Sequence, residues 1–75
     1  MRVKIRLDTK SAAAHLSHIA SLQKEEEIYI RDGRGLLCAH AKSVLGVLYS
    51  MEFSELWLES PSDLYFAFRE FIVEE

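Results

Sequence analysis

A serine set just behind a strand-like stretch, and just ahead of an almost unbroken apolar run, constrains this chain more than any other feature. The stretch is Ala41 to Met51, AKSVLGVLYSM. Ser43 stands where a helix needs an N-cap. Its hydroxyl can accept from one of the first-turn N–H groups that lack a partner inside the helix. The helix this predicts, from Ser43 to about Ser50, is short. Gly46 inside it lowers intrinsic helicity by about 1 kcal/mol relative to alanine. Such a helix persists only where other elements hold it.

The flanking segments supply those elements. Arg2 to Leu7 alternates strictly, with Val3, Ile5 and Leu7 on one face and Arg2, Lys4 and Arg6 on the other, the pattern of a half-buried strand. Asp8 and Thr9, both good N-caps, open a helix in which Ala12, Leu16, Ile19 and Ala20 fall within one core-facing arc. It fades near Gln23 and Lys24, and Lys24 to Glu27 reads as a solvated connection. Ile28 to Ile30 predicts a second strand. Asp32-Gly33 signals a hairpin, because both residues tolerate positive φ. Leu36 to Ala41 returns beside it, with Leu37, Ala39 and Ala41 inward and Cys38 and His40 outward. These small inward residues leave room for a helix to pack closely. Glu55 to Glu59 predicts a fourth strand, with Leu56 and Leu58 inward and Trp57 outward. Ser60-Pro61-Ser62-Asp63 has the cap, the first-turn proline and the acidic residue of a helix start. It predicts a third helix with a buried stripe of Leu64, Phe68, Phe71 and Ile72, and with Phe66 off that stripe.

The order is therefore β-α-β-β-α-β-α, an α+β fold in which a four-stranded antiparallel sheet is covered on one face by three helices. Seventy-five residues allow one domain, 1–75, with one modest core. The open face is expected to carry Arg2, Lys4, Arg6, Tyr29, Cys38, His40 and Trp57, with Trp57 and Tyr29 stacked on each other or under an arginine. Val47 and Met51 suit the core. Val44, Leu45 and Leu48 cannot all be buried on so short a helix, which leaves Val44 and Leu48, four apart, on one outward strip of a partly buried apolar helix.

Several function classes are disfavoured. A net charge of −3 argues against a general nucleic-acid binder. No apolar run approaches the ~20 residues of a membrane span. The amino-terminal residues lack the apolar segment of a signal peptide, and the single cysteine, Cys38, allows no internal disulfide. The expectation is a cytoplasmic protein. No nucleophile stands at a recognisable spacing from a base, and no glycine loop is built to cradle phosphate. Neither enzymatic activity nor a cofactor is expected. His15 with His18, and Cys38 with His40, are pairs without the further ligands a metal site needs.

The order of elements, the DG hairpin and the run Lys42-Ser43-Val44-Leu45-Gly46-Val47-Leu48 together resemble the HPr family, the small phosphocarriers of the bacterial sugar phosphotransferase system. Members carry a lysine, a regulatory serine, two apolar residues and a glycine at this place, and Ser43 matches the serine. The resemblance covers nearly the whole chain and implies an open-faced β-sandwich. It also implies phosphorylation of Ser43 by a dedicated serine kinase, and docking of partner proteins on the surface of Val44, Leu45 and Leu48.

The family's other motif, Gly-Leu-His-Thr-Arg-Pro-Ala between the first strand and first helix, is replaced by Asp8-Thr9-Lys10-Ser11-Ala12-Ala13. Asp8 takes the histidine's place, Lys10 the arginine's and Ser11 the proline's. Aspartate forms no phosphoimidazole, and lysine lacks arginine's forked grip on phosphate. The expected function is thus a non-enzymatic, HPr-like regulatory protein. It would act through the Ser43 helix and the nearby Thr9 helix start, with Asp8 presenting a fixed negative charge. Its partners would be phosphotransferase-system enzymes, a kinase, or a transcriptional regulator, as for relatives that act as corepressors in carbon catabolite control. Two alternatives stand beside it. One is a phosphocarrier using His15 or His18, although both lie more than a turn inside the helix, where the N–H groups are already bonded. The other is a structural or oligomerisation domain using the Trp57 and Tyr29 face.

Overall fold

Leu56 to Glu59 is the last strand in sequence and lies between two others in the sheet. The computed structural model describes residues 1–74; Glu75, at the end of the expected domain, lies outside them. The elements are β1 (Arg2–Ile5), α1 (Lys10–Ser21), β2 (Tyr29–Asp32), β3 (Cys38–His40), α2 (Val44–Ser50) and β4 (Leu56–Glu59), followed by a 3-10 turn at Arg69–Phe71. The strands form one sheet in the order β1-β4-β2-β3, every neighbouring pair antiparallel. The fold is mixed α+β, with an open sheet and two α-helices.

Alternation along each strand decides what the sheet buries. One row crosses the inner face from Val3 to Leu58 to Ile30 to Ala39. Leu58 and Ile30 in its middle are fully buried. Against this face lie Ala13, Leu16 and Ala20 of α1, Val47 of α2, and Phe68, the largest fully buried side chain. Burying each large apolar side chain contributes about 1.5–3 kcal/mol. The core-facing arc of α1 is rotated from the expected one. Ala13 and Ser17 are buried with Leu16 and Ala20, whereas Ala12 and Ile19 are half-buried. Small residues at 13 and 17 bring the helix close to its neighbours.

The hairpin between β2 and β3 forms, but not through positive φ at Asp32 or Gly33. The positive φ, +75°, belongs to Gly35. Asp32 acts through its carboxylate. Oδ1 accepts from the N–H groups of Leu36 (2.7 Å) and Leu37 (2.8 Å), and Oδ2 from that of Arg34 (3.2 Å). Burial opposes ionisation of this group, but the three N–H donors outweigh it and hold the carboxyl below its usual range. The Lys24–Glu27 connection is also more than a solvated linker. Glu25 accepts from the Ser62 hydroxyl (2.5 Å), and Glu26 pairs with Lys42 (3.5 Å).

The expected third α-helix is replaced by a shorter turn. The Phe68 N–H reaches the carbonyls of Leu64 (3.3 Å) and Tyr65 (3.2 Å), and the N–H groups of Phe71 and Ile72 bond three residues back. The Ser60 hydroxyl donates to the Ser62 carbonyl instead of capping a helix. Two causes combine. Tyr65, Phe66, Phe68, Phe71, Ile72 and Val73 are aromatic or β-branched, with modest helix propensity. The end of the segment is also drawn out against β1: Arg6 N–H donates to Phe71 O and Val73 N–H to Lys4 O, both at 2.9 Å, with Ile72 bridged to Ile5. This contact covers an otherwise open sheet edge. Phe68 and Phe71 remain buried, and Phe66 is exposed beneath Arg69. Among the described residues no helix is long and apolar enough to cross a membrane.

Two outcomes are expected. Because the folded carboxyl of Asp32 titrates below its unfolded value of ~3.9, its contribution to stability is present above that pH and lost as pH falls through the folded value. Thermal unfolding followed from neutral pH to below 4 should show a steeper loss for the wild type than for Asp32→Asn, which should already be less stable at neutral pH. Parallel curves would contradict this role. Gly35→Ala places a side chain at positive φ and should cost about 1 kcal/mol in urea unfolding.

Candidate functional site

Ser43 is exposed and caps α2. Its backbone is extended, its N–H donates to His40 O (2.9 Å), and its Oγ accepts from the Gly46 N–H (3.2 Å). The preceding residue is anchored: Lys42 Nζ donates to Gln23 O (3.1 Å) and pairs with Glu26, which leaves the lysine side chain only 20% exposed. The start of α2 is therefore fixed while the serine itself faces solvent.

α2 crosses β3 with Gly46 over Ala39. A Cβ built on Gly46 would lie 3.5 Å from Ala39 Cβ. That is an ordinary contact, so α2 rests on β3 at close range with room for one methyl group. Val47 is fully buried beneath the helix, and Leu48 and Met51 pack at the rim of the core. The outer face is apolar and bare. Leu45 is 79% exposed and Val44 46%. Leu48 points less outward than the sequence suggests. Its place in the exposed patch is taken by Tyr49, 59% exposed, whose ring meets Phe53 edge-on at 5.6 Å. Sequence reasoning missed Tyr49; its spacing of four from Leu45 was the available signal.

The two helix starts are not side by side. Lys42, at the head of α2, reaches Gln23 just past the end of α1. At the other end, Lys10 in the first turn of α1 shares a cavity of about 470 Å³ with Leu48, Met51 and Glu52. The helices thus run antiparallel, and the outer face of α2 lies between the Ser43 and Thr9 starts. Thr9 is the cap of α1, its hydroxyl accepting from the Ala12 N–H (3.0 Å). Asp8 stands outside the cap, its side chain exposed and 3.9 Å from Arg6 Nε. Lys10 and Ser11 are exposed in the first turn.

The histidines sit elsewhere. His15 Nε2 is 3.0 Å from Glu70 Oε1, and its ring tilts against Phe71. His18 is exposed farther along α1. Among the described residues no three His, Cys, Asp or Glu side chains cluster as a metal site would require. On the open face Trp57 lies under the Arg2 guanidinium, 4.1 Å from ring centre to Cζ, while Tyr29 meets His40 edge-on instead of stacking with Trp57.

No family model matches this chain, and no match is found to a curated protein or to a solved structure.

The cap and the close approach predict opposite effects of two substitutions. Ser43→Ala should cost about 1 kcal/mol in urea unfolding, and Ser43→Asp should restore most of it. Gly46→Ala should gain about 0.5–1 kcal/mol, because the methyl group fits and the glycine penalty disappears. Destabilisation by Gly46→Ala would show that α2 lies closer to β3 than described.

Proposed function

We propose that this chain is a non-enzymatic, HPr-like regulatory protein that binds other proteins through the outer face of α2. The observation that carries the reading is an exposed, capping serine at the head of a short helix whose outward residues, Val44, Leu45 and Tyr49, are apolar. A buried helix would not leave Leu45 in water, and a purely structural one would gain from polar residues there. Phosphate added at Ser43 falls at a helix N-terminus, where partial positive charge tolerates it. The fold then survives, and the charge alters what docks beside Leu45. The partner classes are phosphotransferase-system enzymes, a serine kinase and a transcriptional regulator, in the cytoplasm.

The carrier alternative has less support. A phosphate on His15 Nε2 would meet the Glu70 carboxylate, and Asp8 offers no ring to phosphorylate. Lys10 shares its cavity with Glu52, an acid where a phosphate would need a cation. The oligomerisation alternative is weakened by the charged cover over Trp57.

Two measurements test the proposal. Incubation with the upstream phosphotransfer enzyme and phosphoenolpyruvate should leave no acid-labile phosphate on His15 or His18; its appearance would favour the carrier. In pull-downs from the native cytosol, Ser43→Asp should change the set of retained proteins, and Leu45→Ser should weaken retention about tenfold, the scale of a central interface side chain. Identical sets for the wild type and both variants would overturn it.

A further inference from the structure

The two edges of the sheet are treated differently. Along β1, Val73 N–H donates to Lys4 O and Ile72 is bridged to Ile5. β3 is the other outermost strand, and among the described residues no strand pairs with its outer side. Nor does it carry the charges or proline that blunt such an edge: its residues are Cys38, Ala39 and His40. The hydrogen bonds of its inner side fix what the outer side presents. Across a trans peptide bond a carbonyl points opposite to the next residue's N–H. Leu37 N–H reaches Asp32 Oδ1 and Ala41 N–H reaches Ile28 O, both toward β2, so Leu36 O and His40 O point outward. Alternation gives Ala39 both its bonds to Ile30 and turns both backbone groups of Cys38, and the N–H of His40, outward. Two groups along this edge are already engaged. His40 O accepts from Ser43 N–H (2.9 Å), and Leu36 N–H donates to Asp32 Oδ1 (2.7 Å). Cys38 N–H, Cys38 O, His40 N–H and Leu36 O remain.

We propose that this edge pairs with the same edge of a second copy of the chain, antiparallel about a two-fold axis at Cys38, so that two four-stranded sheets join into one. The remaining groups are self-complementary in that register. Cys38 N–H of each copy donates to Cys38 O of the other, and His40 N–H of each donates to Leu36 O of the other. The engaged groups decide between occupants. In an antiparallel hydrogen-bonded pair, the residue opposite His40 gives its N–H to His40 O. A peptide of unrelated sequence would have to share that acceptor with Ser43. In a second copy the residue there is Leu36, whose N–H is already satisfied by Asp32, so nothing competes for the carbonyl. Sliding the pairing to set Cys38 against His40 aims Cys38 N–H at the engaged carbonyl and loses this match. No charged side chain of β3 meets its like at the axis, and Leu36, 71% exposed, gains a neighbour. A two-fold contact of this kind closes at two chains. It uses neither the outer face of α2 nor the Trp57 and Tyr29 face.

The test is sedimentation velocity under reducing conditions, from about 10 µM to about 1 mM, the span of weak association. The mass should rise from one chain toward two and no further. Hydrogen exchange read residue by residue over the same range locates the contact. Where about nine-tenths of the chains are paired, exchange at Cys38 and His40 should be about tenfold slower than in dilute solution. Exchange at Ala39, whose N–H faces β2 in either state, should change less. Cys38→Lys sets two like charges opposite each other at the axis and should leave the protein monomeric throughout. Cys38→Ser should associate as the wild type does, with circular dichroism confirming that both variants are folded. A mass of one chain at every concentration would overturn the proposal. So would association with exchange at Cys38 and His40 unchanged, which would place the contact elsewhere, association of Cys38→Lys equal to that of the wild type, or growth beyond two chains. None of these outcomes turns on Ser43 or Leu45, so they leave the reading of α2 untouched.

Discussion

Placement of β4 between β1 and β2 is the constraint on which the rest depends. Leu56 to Glu59 pairs with Arg2 to Ile5 on one side and with Tyr29 to Asp32 on the other, so two edges of backbone are satisfied by four residues. Leu56 and Leu58 then occupy the middle of the inner face. Without this strand, β1 has no neighbour in the sheet and the β2–β3 hairpin stands alone, which is marginal in water. The last strand of the chain thus completes the sheet, and the helices have a full surface to bury against only after it is in place.

That arrangement divides the protein into two independent surfaces. All the helical cover lies on one side. There α2 is held by a narrow contact, Gly46 over Ala39 and Val47 beneath, and its outward residues are left uncommitted. On the other side the pleat turns every second residue of each strand outward, and apart from Cys38 these residues are charged or aromatic. One surface is apolar and flanked by an exposed hydroxyl; the other carries charges of both signs and aromatic rings. The sheet between them keeps them apart.

Much of this was legible in the amino-acid order. Alternation at Val3 and Ile5, at Leu56 and Leu58, and at Leu37, Ala39 and Ala41 marks the inner face, because a period of two leaves one assignment of sides. Ser43 and Thr9 declare their caps by residue type and by the apolar or alanine-rich runs behind them. Other features depend on contacts distant in sequence. Nothing local says that Asp32 works by accepting three N–H groups while Gly35 takes the positive φ. The capping residues at Ser60 to Asp63 compete with an edge of β1 that is nearly sixty positions away, and the edge wins. The antiparallel run of α1 and α2 follows from Lys42 reaching Gln23, which no periodicity reveals.

Native-state amide hydrogen exchange tests the dependence on β4 most directly. The account predicts that the slowest amides in the protein belong to Leu56–Glu59 and to their partners in β1 and β2, exchanging only through global unfolding, while the first-turn amides of α2 exchange through smaller openings. Faster exchange along Leu56–Glu59 than along β3, the strand at the free edge, would contradict it.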